Sequence, residues 1–172
     1  AYTYDGDGKV LTVSQDGQVA ATLSYDSLQQ VSGVAYQGGA TLGSITRNPA
    51  GQVTGQTWTY PGSAPIIDQV VRSQSGRVLR ETLTRGSQTY TSTYGYDAAG
   101  RLISANIPGH QLGYEFASTG GCGPNTAAGA SGNRTALTDI YTPAGSSTST
   151  TTTTTSCYDW ADRLLSSTVT NP

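Results

Sequence analysis

A chain of 172 residues with a net charge of −2 is long enough for one core, but its few arginines are spread singly along the sequence and leave no basic stripe for nucleic acid. Hydrophobic residues are 35% and charged residues 12%, with 22 glycines and many Thr, Ser and Gln between them, so any core is thin and an ordinary globular domain is excluded. No apolar run reaches the roughly 20 residues of a membrane span, which argues against membrane insertion. Eleven Tyr, one Phe and no Met make the aromatic mass amphipathic, which suits half-buried strand faces. Ala1-Tyr2-Thr3-Tyr4 opens in mid-pattern without a signal peptide, so the sequence reads as a piece of something longer.

Taken in chain order, the sequence repeats itself. Tyr4-Asp5-Gly6-Asp7-Gly8-Lys9-Val10 sets the pattern, and Tyr25-Asp26-Ser27-Leu28-Gln29-Gln30-Val31 follows it without the glycine. Thr46-Arg47-Asn48-Pro49-Ala50-Gly51-Gln52-Val53 and Val71-Arg72-Ser73-Gln74-Ser75-Gly76-Arg77-Val78 keep the turn but lose the Tyr-Asp pair. Tyr96-Asp97-Ala98-Ala99-Gly100-Arg101-Leu102 is the clearest copy. Tyr114-Glu115-Phe116 begins a distorted sixth unit, which an insertion at about 117–131 interrupts before Gly132-Asn133-Arg134-Thr135 resumes it. Tyr158-Asp159-Trp160-Ala161-Asp162-Arg163-Leu164 closes the series, with Asp where Gly is expected. The Gly-Arg-equivalent pairs begin at 8, 29, 51, 76 and 100, in steps of 21, 22, 25 and 24 residues, and again at 162. This spacing predicts one repeat array over 1–172, in units near 1–21, 22–42, 43–67, 68–92, 93–113, 114–145 and 146–172, with no separate catalytic domain.

The chemistry of one unit is readable. Tyr-Asp ends a strand, the Asp carboxylate accepts the next backbone amides as an Asx-turn, and the Gly three positions on supplies positive φ. The following segment alternates, as in Arg77-Val78-Leu79-Arg80-Glu81-Thr82-Leu83-Thr84, Gly86 turns the chain, and Thr89-Tyr90-Thr91-Ser92-Thr93-Tyr94 runs back. Each repeat is therefore a β-hairpin. A lone hairpin is marginal in water, so the hairpins pair laterally, which predicts an all-β fold of consecutive hairpins in one continuous curved sheet, a solenoid-like β-spiral with Tyr and Arg stacked in ladders.

These residues carry a resemblance: x-Tyr-Asp-x-x-Gly-Arg-Leu is similar to the YD repeat of Rhs-type bacterial proteins, insecticidal toxin-complex shells and animal teneurins. The C-terminal third resembles a variant of actinobacterial members, with Gly-Cys-Gly at 121–123, Gly-Asn-Arg-Thr at 132–135 and Cys-Tyr-Asp-Trp-Ala-Asp-Arg-Leu at 157–164. The resemblance implies secretion and a β-spiral that curls around a toxin or forms a cell-surface stalk in full-length relatives. Cargo-releasing members carry a self-cleaving core region, which no stretch here matches. The repeat-motif positions that follow are Tyr4, Asp5, Gly8, Tyr25, Asp26, Gly51, Gly76, Arg77, Tyr96, Asp97, Gly100, Arg101, Tyr158, Asp159 and Arg163.

Cys122 and Cys157 bracket the insertion and the Thr run, and read as a disulfide of an oxidising compartment rather than a metal site, for which His110 is the sole histidine. Asp5-Gly6-Asp7-Gly8-Lys9 superficially suggests a calcium loop, but Lys9 stands where a ligand belongs and Asp16 where a bidentate Glu is needed, so a repeat turn is expected. The tract Ser146–Ser156 reads as a flexible linker, an O-glycosylated strip or a β-strand of unusual composition; a strand forming a long hairpin arm is favoured, with room for glycan on top. Asn133-Arg134-Thr135 fits a glycosylation sequon but coincides with the repeat's turn, and His110 reads as a lone surface histidine after Pro108-Gly109. With no nucleophile motif and no nominated acid pair, no enzyme activity, no cofactor and no metal is expected. The expected role is structural and extracellular: part of a shell, stalk or filament wall whose partners are neighbouring YD repeats in the same or adjacent chains. The alternative is an adhesive module in which Trp58 and Trp160 stack on surface glycans.

Overall fold

The computed structural model describes residues 1–171. All fourteen strands found among them are hydrogen-bonded in chain order into one open antiparallel sheet, the all-β hairpin fold expected from the sequence. The chain divides into two compact units, Ala1–Thr91 and a second from Ser92 onward.

The first unit holds β1 (Tyr2–Tyr4), β2 (Val10–Gln15), β3 (Gln18–Tyr25), β4 (Val31–Tyr36), β5 (Thr41–Arg47), β6 (Val53–Thr59), β7 (Ile66–Arg72), β8 (Val78–Arg85) and the start of β9 (Gln88–Tyr96). Its strands are rich in β-branched and aromatic residues, and β7 shows the pleat period plainly: Ile66, Asp68, Val70 and Arg72 are half-buried while Ile67, Gln69 and Val71 face solvent.

The second unit holds the end of β9, then β10 (Leu102–Ile107), β11 (His110–Glu115), β12 (Ala136–Tyr141), β13 (Thr150–Tyr158) and β14 (Leu164–Thr170), with a 3-10 helix at Ala128–Ser131 between β11 and β12. The Thr tract supplies most of β13. It is an arm of the β12–β13 hairpin, as expected, and is paired on both sides, with Thr138 facing Thr153 on one side and Thr168 facing Thr155 on the other. Threonine tolerates this place because its methyl packs on the pleat while its hydroxyl keeps a wet or cross-strand partner.

Little is fully buried. Ala105 and Ala128 are the buried apolar residues among those described, and no large side chain is completely enclosed. Leu28, Val71, Leu79 and Leu165 are all exposed. Cohesion therefore lies in backbone ladders and cross-strand side-chain pairs, the unit of stabilisation in a sheet, rather than in a central core. No helix is long and apolar enough to cross a membrane.

Candidate functional site: the repeat turns and the insertion

One backbone turn geometry occurs seven times among the described residues, once in the Tyr36–Ala40 turn with Gly39 at positive φ and six times at the repeat turns. At Asp5, Asp26, Asn48, Ser73, Asp97 and Asp159 the amide donates to the carbonyl four residues on, at 2.8 to 3.1 Å, and that residue's carbonyl accepts the amide three positions on, at 2.9 to 3.1 Å. The third residue after the anchor has positive φ, between 59° and 84°: Gly8, Gln29, Gly51, Gly76, Gly100 and Asp162. The anchor's side chain completes the loop. Asp5 Oδ1 accepts the amides of Asp7 and Lys9 at 2.9 and 2.8 Å, and Asp26 Oδ1 those of Leu28 and Gln30, both at 2.9 Å. Asn48 and Ser73 do the same with a neutral oxygen, Asn48 for Ala50 and Gln52 and Ser73 for Arg77. The residue before the anchor sits at a β-bulge, with Tyr4 opposite Val10, Tyr25 opposite Val31, Arg47 opposite Val53, Arg72 opposite Val78 and Tyr158 opposite Leu164.

Where an aspartate turn ends in Arg or Lys, that cation folds back on the anchor. Arg101 Nε and Arg163 Nε each donate to their aspartate Oδ2 at 2.7 Å, and Lys9 Nζ lies 3.1 Å from Asp5 Oδ2. Asp5, Asp97 and Asp159 are accordingly held below the ordinary carboxylate value, first by the backbone amide of Lys9, Arg101 and Arg163 respectively and then by the same residues' side chains. Lys9 is raised, chiefly by its hydrogen bond to Asp5. Both carboxylates near Lys9 are thus engaged by an ammonium, which fits a turn and not a cation loop.

The residue before the anchor makes the lateral link. Tyr25 donates its hydroxyl to the Val10 carbonyl at 2.8 Å, one unit back, and Tyr158 donates to the Arg134 carbonyl at 2.9 Å. Where Tyr has been lost, Arg takes over: Arg47 Nη2 donates to Val31 O at 3.0 Å and Arg72 Nε to Val53 O at 3.2 Å. Val10, Val31 and Val53 each open the strand after the preceding turn, so Tyr and Arg here do the same work. The sequence signal was present, since both are long side chains ending in a donor, but it is hidden from a search for Tyr-Asp. Cations also cover rings of the next unit, Lys9 at 5.5 Å from the centre of Tyr25 and Arg101 at 4.4 Å from that of Phe116.

Tyr96 sits opposite Leu102 at the mouth of its turn, and Arg77 is exposed with Nη1 3.2 Å from Ser75 Oγ. Trp58 lies in β6 with its ring stacked between Tyr36 and Tyr60, centroids 6.1 and 6.3 Å away, whereas Trp160 is 75% exposed within the last turn. Cys122 and Cys157 are bonded to each other. His110 is not a lone surface residue: its Nδ1 lies 2.9 and 3.0 Å from the two oxygens of Asp139, and its ring packs on Tyr141. A carboxylate only accepts, so Nδ1 carries the proton. The pairing was invisible in the sequence because it depends on the β11–β12 register, in which Leu112 faces Asp139 and His110 stands one diagonal away. Asn133 does not sit in a two-strand turn either, but follows the 3-10 helix, with Nδ2 donating to Asp162 Oδ1 at 2.8 Å.

As a chemical arrangement the turns hold backbone. Among the described residues no group of three or more His, Cys, Asp or Glu converges as a metal site. The groove over β9 to β12, about 430 Å³, is lined by uncharged residues, polar Thr93, Ser104, Asn106 and Gln111 beside apolar Leu112 and Ile140.

The comparisons with known proteins agree with this geometry. Residues 73–110 match the RHS Repeat family model, a span that includes the Ser73 and Asp97 turns. No curated protein matches the chain. Among solved structures, the chain is similar to TcdB2-TccC3-Cdc42 (14% identity, TM-score 0.54, 99% of this chain and 11% of that one). It is also similar to TcdB2-TccC3 without its hypervariable C-terminal region (14%, TM-score 0.55, 99% and 11%) and to TcdB2-TccC3-TEV (18%, TM-score 0.52, 99% and 8%). The chain spans about a tenth of the length of the structures it resembles, and at these identities the likeness is one of fold. Residues 73–110 are therefore an RHS repeat by their family match, and they lie in a chain whose repeat turns recur along an all-β fold shared with the TcdB2-TccC3 structures.

Proposed function

We propose that the chain is a structural wall segment: a stretch of YD-repeat sheet in an extracellular shell, stalk or filament, enclosing a toxin in its full-length context and carrying out no catalysis. One observation carries this reading, the recurrence of the same turn together with the same back-reaching donor. At Tyr25, Arg47, Arg72 and Tyr158 the side chain before the anchor donates to a backbone carbonyl 15 to 24 positions back, which suits a wall held together by lateral links. The fold shared with TcdB2-TccC3 supports the same role.

On this reading the array comprises the seven units delimited in the sequence, and the motif residues from Tyr4 to Arg163 are structural positions. The partners are further YD repeats of the same or an adjacent chain. Two exposed strands suit them: on β1, Tyr4 is 58% exposed and holds the position from which Tyr25 reaches back, while beside β14 the Arg163 side chain is 79% exposed and Leu164 is 57% exposed. The adhesive alternative has weaker support, because the Trp58 ring is already flanked by two tyrosines.

Electron microscopy of the purified native material tests the proposal. Hollow particles are expected for a shell and fibres with a constant axial repeat for a filament or stalk. Dispersed particles without either form, together with saturable sugar binding lost on Trp160→Ala, would overturn it in favour of adhesion.

A further inference from the structure

The excursion 116–135 stands between β11 and β12, where a repeat turn is expected, and it is built unlike any turn. Its neck is closed by Thr135, which is 5% exposed: the Thr135 amide donates to Glu115 O at 2.8 Å, its Oγ1 donates to the same carbonyl at 3.2 Å, and Oγ1 accepts the Ala117 amide at 2.9 Å. Inside the neck Ala128 is 1% exposed, and the Gly129 amide donates to Ala117 O at 3.0 Å. Gly129 lies so close to the backbone of Phe116 and Ala117 that a Cβ would overlap it.

This compact body touches a repeat turn on each side. Toward the preceding turn, Arg101 Nη1 donates to Gly129 O at 2.7 Å and its guanidinium covers the Phe116 ring, while Nε of the same residue holds Asp97. Toward the following turn the bonds are more numerous. Cys122 is joined to Cys157, and the Asn125 amide donates to Tyr158 O at 3.0 Å. Asn125 Nδ2 and Asn133 Nδ2 both donate to Asp162 Oδ1, at 3.2 and 2.8 Å. Asn125 is itself 7% exposed and organises the excursion by accepting the Ala127 amide. The disulfide is the sole covalent tie in this set; everything else is a hydrogen bond to a segment with one short helix.

We propose that the 116–135 excursion is a redox-operated clasp: with Cys122–Cys157 closed it locks the Asp97–Arg101 turn to the Asp159–Arg163 turn, and opening the bond with a dithiol releases both. The inference stands apart from the wall function, since it concerns the coupling of two turns whatever surrounds them. The coupling runs from Cys122 through the seating of Asn125 and the 3-10 helix to the Gly129 carbonyl, and from there to Arg101, which touches neither cysteine. Both cysteines are half-buried, which leaves them within reach of a small reagent.

In the opening step a thiolate of the dithiol attacks one sulfur of the pair and displaces the other as a thiolate. The second thiol of the reagent then attacks the mixed disulfide, so the reagent leaves as a cyclic disulfide. Two electrons pass from reagent to protein, and Cys122 and Cys157 end as thiols after taking up two protons.

The test is peptide-resolved hydrogen–deuterium exchange on the full chain, oxidised and after treatment with dithiothreitol, with thiol quantitation to establish that the bond has opened. Exchange is expected to rise about tenfold or more in 116–135, in Asp97–Arg101 and in Asp159–Arg163, with the Asp26 and Asn48 turns of the first unit unchanged. A rise confined to 116–135 and residues beside Cys157, with Asp97–Arg101 unaltered, overturns the clasp, as does equal loss of protection in both units. The double variant C122A/C157A supplies the open state without reagent and is expected to reproduce the dithiol pattern; protection of Asp97–Arg101 equal to that of the oxidised protein refutes the coupling.

Discussion

The two units solve one problem differently. From Ala1 to Thr91 each hairpin is tied to the one before by a donor at a single position, Tyr25, Arg47 or Arg72, and no excursion interrupts the alternation of strand and turn. From Ser92 onward one repeat turn is lost, and a disulfide, a buried asparagine and a closely packed glycine take its place. The comparison teaches that in a sheet with almost no core the turn is the element that must be right. A good turn needs one side-chain link to its neighbour; a missing one is replaced by local packing and a covalent bond.

The largest expected effect separates the units outright. Replacing Cys122 and Cys157 with Ala is expected to cost the second unit about 3 to 4 kcal/mol on the chain-entropy estimate for cysteines 35 residues apart, and the first unit nothing, which urea unfolding followed by unit-specific probes resolves. Next comes Gly129→Ala, which puts a methyl into the backbone of Phe116 and Ala117 and is expected to destabilise the same unit by about 2 kcal/mol. In the first unit, Asp26→Ala removes the acceptor of the Leu28 and Gln30 amides and is expected to cost about 1 kcal/mol by the same measurement.

A smaller pair of variants sharpens the contrast. Gln29 and Asp162 both occupy the left-handed position of their turn, with φ of 64° and 59°. Gln29→Gly relieves that conformation and gives up only the exposed bond that Gln29 Oε1 accepts from Lys9 Nζ, so it is expected to raise the melting temperature, by a net gain of about 0.5 kcal/mol. Asp162→Gly relieves the same strain but removes the acceptor of the Asn125 and Asn133 amides, so it is expected to lower the melting temperature. Equal effects of the two substitutions would mean that the Asp162 carboxylate does not hold the insertion.

The last effect is silent at neutral pH. Asp5, Asp97 and Asp159 have folded values below their ordinary one, so their contribution is fully present above the ordinary carboxylate range and is lost as pH falls through the folded values. One of these turns lies in the first unit and two in the second. Acid titration followed by carboxyl-resolved NMR is expected to show all three protonating at lower pH than an ordinary aspartate, and titration at the ordinary aspartate value would contradict the turn geometry.

Much of the fold was legible because it is local. An Asx anchor, a left-handed residue three positions on and an alternating strand lie within about ten residues of one another, so the period of the motif and the hairpin it encodes can be read without knowing any distant contact. The Thr tract was harder, since Thr suits a strand, a linker and a glycan carrier alike; the ladder with Thr138 and Thr168 decided it. His110 and Asp139 lie 29 positions apart, and their meeting required the register across an insertion whose length says nothing about where its ends rejoin.

The sequence by itself determined the repeat, its turns and the all-β class, because these depend on backbone preferences and side-chain reach within a single hairpin. Tertiary structure decided that Arg47 and Arg72 replace tyrosine as lateral donors, that Asp162 earns its strained place by holding two asparagines, and that Arg101 reaches an insertion far along the chain. Those roles depend on which strand lies beside which and in what register, and that information is written in no single unit of the repeat.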